Sequence, residues 1–164
     1  QFSQLSAKVM KSITAGQLDS LSPDAFAGFQ SSQIKKIKTK ILAGLDADLF
    51  SEINPDAFSG FSLKKINALP DELIGTISAD QLSYLKPALF KKMGENLIDA
   101  FQPKAIEGLA PEQAEKLDKD VASNFDRDQI QSIKPECLDA MPRGIFDLLE
   151  GDLSASQLNG LENL

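Results

Sequence analysis

The sequence predicts an all-α fold: a right- or left-handed solenoid, or superhelix, of short capped helices built from an eight-residue repeat. Three observations predict it. Read in blocks of eight from Thr14 to Leu149, the 164-residue chain has an apolar residue at positions five and eight of all 17 blocks, counting Ala114 and Ala122. Proline recurs at position two, in Pro23, Pro55, Pro87, Pro103, Pro111 and Pro135, and Asp or Glu fills position three in 9 of the 17 blocks. The apolar spacing of three and five does not alternate, so strands fit poorly. Self-similarity held in one register over this length marks a stacked repeat architecture.

Octads are numbered here from 1 (14–21) to 17 (142–149). SAKVMKSI (6–13) precedes them in register, and Phe2 and Leu5 fit a truncated block before it. Octad 2, SPDAFAGF, shows the local logic. Ser22 suits the N-cap, Pro23 the first helical position and Asp24 the positive end of the helix dipole. Octad 6, NPDAFSGF, repeats this with Asn54, Pro55 and Asp56. Positions five and eight then share one side of a short helix. Position eight of one octad and position five of the next form a hydrophobic staple across the corner. The expected pairs include Leu21 with Phe26, Ile53 with Phe58 and Leu85 with Phe90.

One continuous helix is excluded twice over. Eight residues turn an α-helix roughly 80° beyond two full turns, which would wind the apolar stripe around the rod. The prolines would break it, and each pushes the residue before it toward extended geometry. Two stretches nevertheless carry a helical stripe long enough to predict fused helices. One is 31–44, through Ile34, Ile37 and Ile41; the other is 88–101, despite Gly94. After Leu149 the register slips: residues 150–153 (EGDL) intervene before SASQLNGL (154–161) resumes the motif. The array is therefore read as 1–149, with 150–164 as a register-shifted terminal repeat or cap.

Burying two large side chains contributes about 3–6 kcal/mol, whereas fixing eight backbones costs roughly 8–16 kcal/mol. A lone octad cannot fold, and stability must accumulate by stacking. Phe2, Phe26, Phe29, Phe50, Phe101, Phe125 and Phe146 fall in every third block, which suggests about three octads per superhelical turn with Phe stacked along one wall; Phe58, Phe61 and Phe90 depart from it.

Composition narrows function. Net charge is -7, with 24 acidic residues against 17 basic and no His. An acidic surface repels phosphate, so nucleic acid is not an expected partner, and charges of both signs mixed along the chain read as solvated faces. The single cysteine, Cys137, excludes an internal disulfide, and no His- or Cys-based metal site can be assembled. No apolar run is long enough for membrane insertion, and Gln1 opens no signal-peptide pattern.

The octads SPDAFAGF, NPDAFSGF, KPECLDAM and QPKAIEGL resemble the repeats of the mesothelin, stereocilin and otoancorin family over about residues 6–149. The resemblance implies a superhelix of short helices on an extracellular or cell-surface protein, with adhesive or matrix-attaching roles. It carries over no binding residue.

Little else points to chemistry. Asp118 with Asp120, and Asp126 with Asp128, invite a calcium reading, but the glycine and terminal Glu of an EF-hand loop are missing and helix starts explain these acids. Cys137, at position four, has no His to activate it and reads as a small buried hydrophobe. Gln17, Gln33, Gln81, Gln113 and Gln129 also occupy position four, suited either to bonding backbone at the corners or to lying at a groove edge. No catalytic, cofactor-binding or metal residue is expected. The chain reads as a non-catalytic structural or adhesive repeat module of a longer extracellular or cell-surface protein or fibre, associating with protein partners or with itself end to end. The alternative is a soluble protein- or peptide-binding α-solenoid scaffold.

Overall fold

Each octad carries one short helix, and every one of these helices starts at the octad's second residue. The computed structural model describes residues 7–164, and those residues contain no strand; Phe2 and Leu5 lie outside them. Helices range from Ser31–Ile34 to Arg143–Leu149, and Pro55–Gly60 and Pro87–Lys91 are 3₁₀. The residue at position one is always the N-cap, in extended geometry from Thr14 (φ -100°, ψ 161°) to Lys134 (φ -72°, ψ 147°). That residue is the corner.

Side chains reinforce many of these corners. The carboxylate of Asp46 accepts from the Asp48 N–H at 2.9 Å, Asn54 accepts from the Asp56 N–H at 3.0 Å, and Asp126 accepts from the Gln129 N–H at 2.7 Å. Each satisfies one of the amides that a helix start leaves open. Ser22 sits at its N-cap position, but its hydroxyl makes no capping bond.

The two fused helices predicted from periodicity do not form. Ser31–Ile34 and Thr39–Leu42 are separated by a corner at Lys38 (φ -65°, ψ 139°). Pro87–Lys91 and Glu95–Ala100 are separated at Lys92 and Gly94. The reason is angular. Phe90, Met93, Leu97, Ile98 and Phe101 are all buried, and on one helix at 100° per residue they would spread beyond a single face. Turning the backbone at each position one returns every octad's pair to the core.

Position five is buried in every octad but the last, where Phe146 is half-buried; position eight is buried in every octad but the first, where Leu21 is half-buried against the core. Ile53, Phe58, Leu85 and Phe90 are all within the core. Among the described residues, the ring contacts do not run from every third octad to the next along one wall. Ring pairs among the described residues fall within octad 2 (Phe26–Phe29) and among Phe50, Phe58 and Phe61 of octads 5 and 6. Phe58 and Phe61, which break the third-block pattern, belong to the densest cluster because positions five and eight all face one interior.

Helices that touch lie three octads apart. Ser31–Ile34 packs on Pro55–Gly60, which packs on Ala79–Ser83, then Pro103–Ile106, then Arg127–Gln131. Pro23–Ala27, Ala47–Ser51, Asp71–Ile74 and Glu95–Ala100 form a second series, and Pro87–Lys91, Pro111–Ala114, Pro135–Ala140 and Ala155–Leu161 continue a third. Thr39–Leu42 and Leu63–Ile66 also touch; Asn67 joins that pair to the third series by donating to the Lys92 carbonyl at 3.5 Å and accepting from the Gly94 N–H at 3.3 Å.

Glycine at position seven marks the tightest approaches. No described residue has positive φ, so these glycines are not needed for left-handed backbone. A Cβ on Gly60 would lie 2.3 Å from the Ser31 carbonyl oxygen, one on Gly108 would lie 1.9 Å from that of Ala79, and one on Gly160 would lie 2.5 Å from Pro135 Cγ. Each meets position two of an earlier octad. The separations are 29, 29 and 25 residues. The last is four shorter because residues 150–153, with their 3₁₀ turn Glu150–Asp152 touching Arg127–Gln131, stand where a whole octad would. The slip after Leu149 is thus an octad shortened by four residues.

Gly108→Ala is expected to destabilise the chain by about 1–3 kcal/mol, because backbone rather than a flexible side chain blocks the added methyl. Gly144→Ala, inside Arg143–Leu149 with nothing within 4 Å, is expected to stabilise by about 0.4–1 kcal/mol. Urea unfolding of the two variants beside the parent checks both signs.

Candidate functional surface

Position four supplies the buried polar groups. Gln33, Gln81, Gln113, Gln129 and Gln157 are at most 5% exposed, although glutamine is ordinarily a surface residue. Each side-chain Oε1 accepts from the N–H of its own octad's N-cap: Gln30 at 2.9 Å, Ser78 at 3.0 Å, Ala110 at 2.9 Å, Asp126 at 3.1 Å and Ser154 at 2.9 Å.

The other end of the amide reaches another turn. Gln81 Nε2 donates to the Ser51 and Ile53 carbonyls at 2.9 and 2.8 Å. Gln113 Nε2 donates to Leu82 and Leu85 at 2.9 and 2.7 Å, and Gln129 Nε2 to Ile98 and Phe101 at 2.8 and 2.7 Å. Gln157 does the same to Ile130 and Ile133. The carbonyls of Ile53, Leu85, Phe101 and Ile133 stand at corners where no backbone N–H reaches them, whereas those of Leu82, Ile98 and Ile130 also accept from the N–H three residues on. One glutamine therefore joins two corners. Of the two sequence readings, Gln81, Gln113 and Gln129 follow the first, bonding backbone at corners, whereas Gln17 is exposed and bonds only within its own octad.

Other donors fill the same slot. Lys65 Nζ donates to the Lys35 carbonyl at 2.9 Å, and Cys137 Sγ donates to the Leu109 carbonyl at 3.1 Å. Cys137 is fully buried; burial first, and then Glu136, push its thiol up to about 11. The sign follows: stability tied to the protonated thiol is fully present below its ordinary pKa and is lost as pH rises through about 11. The hydrogen-bonding role of Cys137 is not visible in sequence, where cysteine at a core position reads as a hydrophobe.

Of the acids considered for calcium, Asp118 and Asp126 are helix caps, and Asp120 and Asp128 lie in the first turns that follow. Asp118 accepts from the Asp120 N–H at 3.1 Å, and Asp126 is committed to Gln129. Among the described residues no group of three His, Cys, Asp or Glu side chains is arranged to hold a metal ion, and no helix is long and apolar enough to cross a membrane.

One surface depression is a groove of about 390 Å³ lined by Asp80, Ser83, Glu107, Gly108, Lys134 and Glu136. A second, of about 320 Å³, adjoins it through Glu107 and Lys134 and runs on to Ser154 and Ser156. Both follow the tight contacts beside Gly108. Asp56, three octads earlier, holds the exposed Tyr84 phenol above its usual range. The arrangement can present carboxylates and hydroxyls to a partner.

A scan against protein-family models and a search of curated proteins give no match to this chain.

Gln113→Leu strands the Ala110 N–H and the Leu85 carbonyl, and is expected to destabilise by about 1–3 kcal/mol for each group left unsatisfied. Gln17→Leu should change stability little, and denaturant midpoints compare the two. Cys137 is expected to resist an alkylating reagent at pH 8 in the native chain and to react at once in urea; rapid native labelling, read by mass spectrometry, would contradict its burial.

Proposed function

We propose that this chain is a non-catalytic structural or adhesive module: a solenoid with three octads to each superhelical turn, taken from a longer extracellular or cell-surface protein or fibre. The observation that carries this reading is the uniform offset of its contacts. Helix packing, glycine approaches and glutamine bonds all join octads three apart or the corners beside them. Such a chain grows along one axis and gives no single interior pocket; its two ends are where further turns or another molecule would add. The resemblance of its octads to mesothelin-type repeats supports the surface location and adhesive role.

The acidic groove beside Gly108 favours a second reading, a soluble α-solenoid that binds a protein or peptide segment. A basic peptide whose addition shifts the amide resonances of Glu107, Gly108 and Lys134, and no others, would support it over the first.

Shape tests the architecture. A compact globule of 164 residues has a radius of gyration of about 15 Å. X-ray scattering of the monomer is expected to give a clearly larger value with the profile of a rod, and a value near that of a globule would refute the superhelix. Electron microscopy at high concentration addresses end-to-end assembly, for which strictly single particles are the contrary result.

A further inference from the structure

Over octads 2 to 11, two of the three series sort the charges, which the linear sequence does not; octads 13, 14, 16 and 17 carry both signs. Octads 4, 7 and 10 carry seven lysines from Lys38 to Lys92 and no acid. Octads 2, 5, 8 and 11 carry eight carboxylates from Asp24 to Asp99 and no base. All of these side chains are exposed except Lys65, which is half-buried. Ion pairs among the described residues are Glu115–Lys116, Arg127–Asp152 and Arg143–Asp147, so neither charged series is neutralised within the chain. Lys65 registers the excess: burial, then Lys36 and Lys64, hold its ammonium below the ordinary range.

We propose that the lysine face of octads 4, 7 and 10 docks on the carboxylate face of octads 2, 5, 8 and 11 of a second copy, side by side. The pairing rests on the reading of three octads per turn, which makes each series a continuous face. Both faces then belong to one superhelix, so their charges repeat at the same axial spacing, and sliding two copies together brings lysine layers level with carboxylate layers. A polyanion would satisfy the lysines alone and leave the acidic face unpartnered. The second copy uses both faces. The contact is heterologous, so the docked pair still presents one free face of each sign and assembly continues laterally.

Exposed ion pairs are individually weak and are screened by salt, which sets the test. Sedimentation velocity of the intact chain is compared at about 0.01 M and about 1 M ionic strength, where the Debye length is about 30 Å and about 3 Å. The expected result is a mass at least double the 17.8 kDa monomer at low salt, returning to monomer at high salt; end-to-end apolar contacts would instead persist. Lys40→Glu/Lys64→Glu/Lys86→Glu and Asp48→Lys/Glu72→Lys/Glu95→Lys should each abolish association alone, and an equimolar mixture of the two should restore it. If either variant loses helicity by circular dichroism, the neutral sets (Lys→Gln at the same lysines, Asp→Asn and Glu→Gln at the same acids) replace them and should each reduce the low-salt mass. A chain that scatters as a rod yet stays monomeric at low salt overturns the pairing while leaving the superhelix intact. Folded variants that fail to associate when mixed overturn it as well, as does a chain that binds inorganic polyphosphate through the lysines and remains monomeric.

Discussion

The constraint beneath this structure is that an eight-residue period is incommensurate with the 3.6 residues of a helical turn. A helix allowed to run on would carry the next apolar pair out of the core, so each one stops after four to seven residues and the chain turns at the next N-cap. Stopping so often has a consequence for hydrogen bonding. A one-turn helix has more unpaired amides and carbonyls at its ends than it pairs within, and here those ends sit beside the core. Capping side chains answer N–H groups, and the N–H three residues on answers carbonyls such as that of Leu82, but no backbone N–H reaches the corner carbonyls such as that of Leu85.

The glutamines at position four close that gap. Primary amides suit the task because they donate and accept at once on a flexible stem: the oxygen serves the corner of its own octad, and the nitrogen serves a corner about 28 residues earlier. No buried side-chain nitrogen or oxygen among the described residues lacks a partner. Lys65 and Cys137 show that the slot selects for a donor rather than for one residue type. Where position four is apolar, as at Leu73 and Leu89, the side chain is simply added to the core. Polar satisfaction and apolar burial are thus interchangeable along the array, octad by octad.

Much of this was legible in sequence because the period is short and the signals are local. N-cap residues, prolines at N1 and the paired apolar positions each act within one octad, so helix starts could be placed to the residue. What the sequence hid acts between octads. The stripes through Ile34, Ile37 and Ile41 and through Leu97, Ile98 and Phe101 look helical because periodicity does not reveal an extended N-cap at Lys38 or Gly94. The phenylalanine period suggested a wall of rings, yet Phe50 meets Phe58 and Phe61 instead, because rings fill the interior by volume rather than by register. The two roles of Gln113, the thiol bond of Cys137 and the sorting of charge by series all depend on which turn lies against which. No window of eight residues contains that information.

The shortened octad at 150–153 has a bearing on how such a chain changes length. Four residues are missing there, and yet Gly160 still meets Pro135 and Gln157 still reaches Ile133. On the proposed superhelix, a stack in which each turn is held by its neighbours confines the disturbance of a deletion to the turn where it occurs. Turns can therefore be trimmed, duplicated or lost in evolution without renegotiating the remainder, much as links are removed from a watch strap.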